Sequence, residues 1–122
     1  MFPLNVTPFE FNLIKICKGS SYPLSYGECG IMVNSLLKKT KLREPDFRVL
    51  FLRSCRRGLV APVSDKELSK GFRDRRYITT PHGVQAIRDV NVATGGDFSF
   101  YRNFDGTSDG LNRFMPKAAG MR

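Results

Sequence analysis

The 122-residue chain offers few soft metal ligands: one histidine, His82, and three cysteines, Cys17, Cys29 and Cys55, with no CxxC spacing. That set argues against a zinc site. His82 sits in the first turn of an expected helix, where it reads as a solvent-facing residue rather than half of a Cys-His catalytic pair. No paired carboxylates mark a shared face, and Gly95-Gly96 belongs to no GxxxxGKS/T or GxGxxG phosphate-cradling pattern. The expectation is a protein that is not an enzyme and uses no metal or cofactor. Long apolar runs are missing too. No stretch approaches 18 consecutive apolar residues, and Met1 to Phe11 lacks the basic start and long apolar middle of a secretory signal. This predicts a soluble protein of the cytoplasm, or of a host-cell cytoplasm if the chain is viral, with no membrane partner. The odd cysteine count, set in apolar runs, suits reduced structural thiols.

Acidic residues are scarce. Eleven Asp and Glu face 20 Lys and Arg, for a formal charge of +9. A polyanion is therefore the expected partner. The length suits one compact domain and is too short for separate cofactor and substrate domains.

What is present reads as a succession of capped helices. Thr7-Pro8-Phe9-Glu10 places a hydroxyl at the N-cap, proline at N1 and glutamate at N3, predicting a helix from about Pro8 to Lys18 that stops at Gly19. Phe9, Leu13, Ile16 and Cys17 form its inward stripe. Phe11 and Ile14 fall off that stripe and predict a second covered face. Ser25-Tyr26-Gly27-Glu28 repeats the cap and opens a second helix with Tyr26, Cys29, Met32, Val33 and Leu36 inward. Gly27 and Gly30 cost about 1 kcal/mol each there relative to alanine, which predicts close packing against a neighbour. The basic connector 38–43 leads to Pro45 and a third helix, about Pro45 to Arg57, ending at Gly58. Phe47, Leu50, Phe51 and Ser54 fall on its inner side with Cys55 at the edge, and Asp46, Val49, Arg53 and Arg56 point away. Leu59-Val60-Ala61 and Arg75-Arg76-Tyr77-Ile78-Thr79 read as two strands around a polar loop, Ser64 to Asp74. Thr80-Pro81-His82-Gly83 opens a fourth helix with Val84, Ile87 and Val90 inward. Beyond Asn91 the composition turns irregular and aromatic, with Phe98, Phe100, Tyr101, Phe104 and Phe114. Residues 91–122 are thus an expected extension, docked on the 1–90 domain or on a partner.

At Arg53-Ser54-Cys55-Arg56-Arg57-Gly58-Leu59-Val60 and Arg75-Arg76-Tyr77-Ile78-Thr79-Thr80-Pro81-His82-Gly83 the chain resembles winged helix-turn-helix regulators of the MarR and PadR type. The former motif is similar to a recognition helix running into a wing. The latter is similar to the returning wing strand and the helix after it. The resemblance spans roughly residues 7 to 90. It implies an α+β, mainly α fold, with a three-helix core, a β-hairpin wing and a fourth helix. It also implies base readout from Asp46, Val49 and Arg53 and from Arg43 just before them.

Charge agrees with this reading. Between Lys38 and Arg57 eight basic residues (Lys38, Lys39, Lys41, Arg43, Arg48, Arg53, Arg56, Arg57) face Glu44 and Asp46, a local balance of +6. These cations, with Lys66, Lys70, Arg73, Arg75 and Arg76 of the loop and returning strand, are the expected phosphate contacts. The expected partner is duplex DNA or another polyanion, bound by a transcriptional regulator. Two alternatives stay open: a viral antagonist or adaptor whose basic face meets an acidic protein, and a structural protein of a ribonucleoprotein or virion. No long flanking helix for dimerisation stands out, which leaves a monomer or a homodimer through the aromatic tail.

Overall fold

The computed structural model describes residues 6–37 and 41–102. Over these residues the protein is mainly helical, with five α-helices and a small antiparallel sheet. The order is α1 (Pro8–Gly19), β1 (Leu24–Ser25), α2 (Tyr26–Leu36), α3 (Glu44–Arg56), β2 (Val60–Pro62), a 3-10 turn (Asp65–Ser69), β3 (Arg76–Thr79), α4 (Pro81–Thr94) and α5 (Ser99–Arg102).

Both expected capping boxes form. Thr7 Oγ1 accepts from Glu10 N at 3.2 Å while Glu10 Oε1 accepts from Thr7 N at 3.0 Å. Ser25 and Glu28 repeat the exchange at 3.1 and 2.9 Å. Each box satisfies orphan amides of a first turn and fixes where the chain enters its helix.

α1 is covered on both faces, as Phe11 and Ile14 predicted. Its Phe9–Leu13–Cys17 stripe meets Tyr26, Cys29, Val33, Phe47, Phe51, Val60 and Tyr77 in the larger core. Aromatic edges dominate there: Tyr26 lies 5.1 Å from both Phe47 and Phe51, and Phe51 lies 4.8 Å from Tyr77. Phe11 and Ile14 face the other way and pack with Val6, Leu59, Ile87, Val90 and Tyr101.

The hairpin expected of residues 59–79 is present, with Val60 opposite Thr79 and Pro62 opposite Tyr77. β1 is a two-residue strand that the sequence pattern did not announce. It pairs Leu24 with Tyr77 and Ser25 with Arg76, giving the sheet order β1-β3-β2. α3 ends in a Schellman arrangement. Gly58, at φ 74°, donates to Cys55 O, and Leu59 donates to Ser54 O. A β-carbon at Gly58 would be strained in that conformation, which turns the chain directly into β2. Thr80 then joins the turn to α4: its hydroxyl donates to Gly58 O and accepts from Gly83 N at 2.9 Å. Gly83 is pressed so closely on the Leu59 carbonyl and on Thr79 Oγ1 that no side chain fits.

Several expectations need correction. Met32 and Leu36, placed inward by the pattern, are 39% and 43% exposed, because Tyr26, Cys29 and Val33 form the buried face of α2, with Leu37 buried at its C-cap. Gly27 and Gly30 are not tightly packed. A β-carbon at Gly30 would make only ordinary contact with the Phe47 ring, at 3.5 Å, and one at Gly27 would meet only Ser25 Oγ, at 4.0 Å. α4 continues past residue 90 to Thr94, so the change in composition at Asn91 falls inside a helix. Part of the aromatic extension is regular: α5 docks on α1, with Tyr101 fully buried and stacked on Phe11 at 4.8 Å. Asn12 Nδ2 donates to Tyr101 O at 2.7 Å and secures the contact. Phe104, Phe114 and the rest of 103–122 lie outside the described residues. Among the described residues, no helix is long and apolar enough to cross a membrane.

Candidate nucleic-acid interface

α3 has two sides. Phe47, Phe51 and Ser54 are buried, and Ser54 Oγ returns its proton to Leu50 O at 2.9 Å, so no polar group is stranded. At 100° per residue, Val49, Arg53 and Arg56 share the opposite side. Val49 is 60% exposed, an apolar residue kept in water on a helix with ample buried surface elsewhere. Arg53 is half-buried and Arg56 exposed. Glu44 and Asp46 fill the first turn, where the helix dipole favours carboxylates.

The expected cations take varied positions. Lys41 turns back on α2, donating to Asn34 O at 2.7 Å and Leu37 O at 3.0 Å, and so caps its last carbonyls. The connector is held further by the Asn34 amide, which binds Leu42 through both its N–H and its carbonyl. Arg43 is largely exposed and lies 3.5 Å from Asp46. Arg57 pairs with buried Glu10 at 2.6 Å and so serves the fold. Lys38 and Lys39 lie outside the described residues.

The loop between β2 and β3 is organised by its own charges. Glu67 Oε1 accepts the Arg76 amide at 2.7 Å, and Lys70 Nζ lies 3.2 Å from its other oxygen. The Arg76 amide, then Lys70, hold the Glu67 carboxyl below the usual range. Arg75 donates to Lys70 O at 2.8 Å and Leu68 O at 3.2 Å. Arg76 reaches Glu28 of α2 at 2.7 Å. Arg73 bridges to α3, 3.3 Å from Glu44 Oε2, with its guanidinium over Phe72 at 4.9 Å and Tyr26 at 5.3 Å. That hydrogen bond, reinforced by one from Tyr26, lowers the Glu44 carboxyl, and Glu44 in turn raises Arg73. Burial, with Glu44 beside it, pushes the Tyr26 phenol up to about 12. Lys66 is exposed on the 3-10 turn.

Of the thirteen candidates, the eleven among the described residues divide. Arg57, Arg73, Arg75, Arg76, Lys41 and Lys70 shape the domain, whereas Val49, Arg53, Arg56, Arg43 and Lys66 lie toward the outward surface. The carboxylates that engage Arg57, Arg76, Arg73 and Lys70, namely Glu10, Glu28, Glu44 and Glu67, were not anticipated in that role. A capping-box glutamate retains free lone pairs once its cap is made, and that is the signal that could have pointed to Glu10 and Glu28.

Cys17 and Cys29 are buried, Cys55 is half-buried, and all three are free thiols. Burial raises Cys55 to about 11, which disfavours a reactive thiolate. Among the described residues no group of three or more His, Cys, Asp or Glu is placed to hold a metal ion. Comparison with protein-family models, curated proteins and solved structures finds no match to this chain.

Proposed function

We propose that the protein is a winged helix-turn-helix nucleic-acid-binding protein that docks on duplex DNA through α3 and the β2–β3 hairpin and acts as a regulator of transcription. The observation that carries this reading is the outward side of α3, with Val49 and Arg56 exposed and Arg53 half-buried, on a chain of charge +9. The element order supports it, since a three-helix set α1, α2 and α3 is followed directly by the β2–β3 hairpin and then by α4. In this reading Val49 meets apolar base edges such as a thymine methyl, Arg53 and Arg56 reach bases or phosphates, and Arg43 and Lys66 approach the flanking backbone. The Arg43–Asp46 pair is exposed and so yields readily to phosphate. The arginines of the hairpin loop act earlier, by fixing its shape and its distance from α3.

Fluorescence anisotropy with a random duplex tests the proposal. Arg53→Ala with Arg56→Ala should weaken binding more than tenfold, since hydrogen bonds to charged groups contribute about 1.5–3 kcal/mol each. About four phosphate contacts give a log–log salt slope near −3.6. Unchanged affinity in the double variant, or no duplex binding by the wild type at low salt, would overturn the reading.

A further inference from the structure

The wall of α2 that faces the first turns of α3 does not complete the core. Tyr26, Gly27, Gly30, Ile31 and Asn34 line it, and opposite them Leu42, Glu44 and Phe47 close an open cleft of about 220 Å³. Ile31, at its mouth, is 73% exposed. Neither glycine has a positive φ, and a β-carbon at either position would make no more than ordinary contact. Two poor helix formers therefore keep an apolar slot open against the interest of helix stability.

The polar groups around the slot are engaged within the chain. The Asn34 amide is bound at both ends to Leu42, and the Tyr26 hydroxyl donates to Glu44 at 3.0 Å. The exposed lining is chiefly apolar, and what the slot accepts is apolar. Its rim, by contrast, is cationic. Glu44 is flanked by Arg48 at 3.8 Å and Arg73 at 3.3 Å, Arg43 precedes it in the chain, and the Lys41 ammonium lies 2.7 Å from the carbonyl of Asn34 in the lining. Four cations thus outweigh Glu44 and Asp46. A second copy of a chain carrying +9 would be repelled, whereas an acidic segment is attracted.

We propose that the cleft between α2 and the N-terminal turns of α3 is a docking slot for a bulky apolar side chain carried on an acidic segment of a protein partner. The apolar anchor fills the space beside Gly27, Gly30 and Phe47, and the acidic flanks lie over Arg48 and Arg73. This is the anchor-and-rim construction of small interfaces, and it uses a face separate from Val49, Arg53 and Arg56.

The test is a selection from a displayed random peptide library on the purified full chain, followed by anisotropy with the best synthetic peptide. Enriched peptides should carry a Leu, Phe or Trp flanked by Asp or Glu. Ile31→Ser, at an exposed position, should weaken the peptide at least tenfold, and Gly27→Leu should do the same while raising Tm by a few degrees. Opposite movement of stability and binding is what a merely structural glycine would not give. If Gly27→Leu lowers Tm instead, Ile31→Ser alone decides. The proposal is overturned by no enrichment, by basic or anchor-free peptides, by unchanged affinity in Ile31→Ser, or by a single-stranded oligonucleotide losing affinity in these variants when no peptide does. Arg53→Ala with Arg56→Ala should leave peptide affinity intact, so this slot and the duplex-binding face fail or succeed separately.

Discussion

Arg57 Nε lies 2.6 Å from Glu10 Oε2, joining the residue that caps α3 to the first turn of α1. The other Glu10 oxygen closes the capping box with Thr7. One buried carboxylate thus sets the start of the first helix and the end of the third, and removing its cation leaves a charge with nowhere to solvate.

Replacement of Arg57 by alanine should therefore destabilise the protein by about 3 kcal/mol. This is the lower end of the range for breaking a buried pair, because Arg57 keeps 31% of its side chain in water while Glu10 keeps 3%. Glu10→Gln combined with Arg57→Met should recover most of the loss. Urea unfolding followed by circular dichroism measures both, and an Arg57→Ala loss below about 0.5 kcal/mol would show the pair to be inert.

Tyr101 is fully buried against Phe11, and burial raises its phenol to about 12. Tyr101→Ala should cost about 3 kcal/mol through the cavity it leaves. The same unfolding measurement checks it. A near-neutral variant would mean that α5 contributes nothing to the folded body.

Glu28, Glu44 and Glu67 all have carboxyls held below the ordinary value of 4.5: Glu28 chiefly by the Ser25 amide, Glu44 by Arg73, Glu67 by the Arg76 amide. A lowered folded pKa means that the unfolded chain binds protons first, so this stabilisation is complete above about pH 4.5 and is lost as pH falls through the lower folded values. Urea midpoints taken from pH 6 to pH 3 should drop below about pH 4.5. In Glu67→Gln the midpoint should be lower at pH 6 and the acid decline shallower. An equally steep decline in that variant would remove Glu67 from the account.

Much of the helical framework was legible because its signals are local. Thr7 with Glu10, Ser25 with Glu28, and Thr80 with Pro81 are caps that need no distant partner. The second covered face of α1 was legible from Phe11 and Ile14 alone. β1 was not, since two residues carry no alternation and become a strand only by meeting Tyr77 and Arg76 some fifty positions away. Met32 and Leu36 misled because the helical stripe of α2 is broad, and α1 and α3 decide which part of it they cover. The charge of residues 38–57 was plain as a sum. Its disposition depends on Glu10, a residue from another helix that takes Arg57, and no count along the chain reports that.

The sheet has a consequence for solubility at high concentration. Its middle strand is flanked on both sides, and the outer two are only two and three residues long, one of them ending at Pro62. Such brief borders, one closed by a residue with no amide hydrogen, give a neighbouring molecule almost no ladder to extend. The β content of the described residues is thereby insulated from fibre growth and from strand exchange.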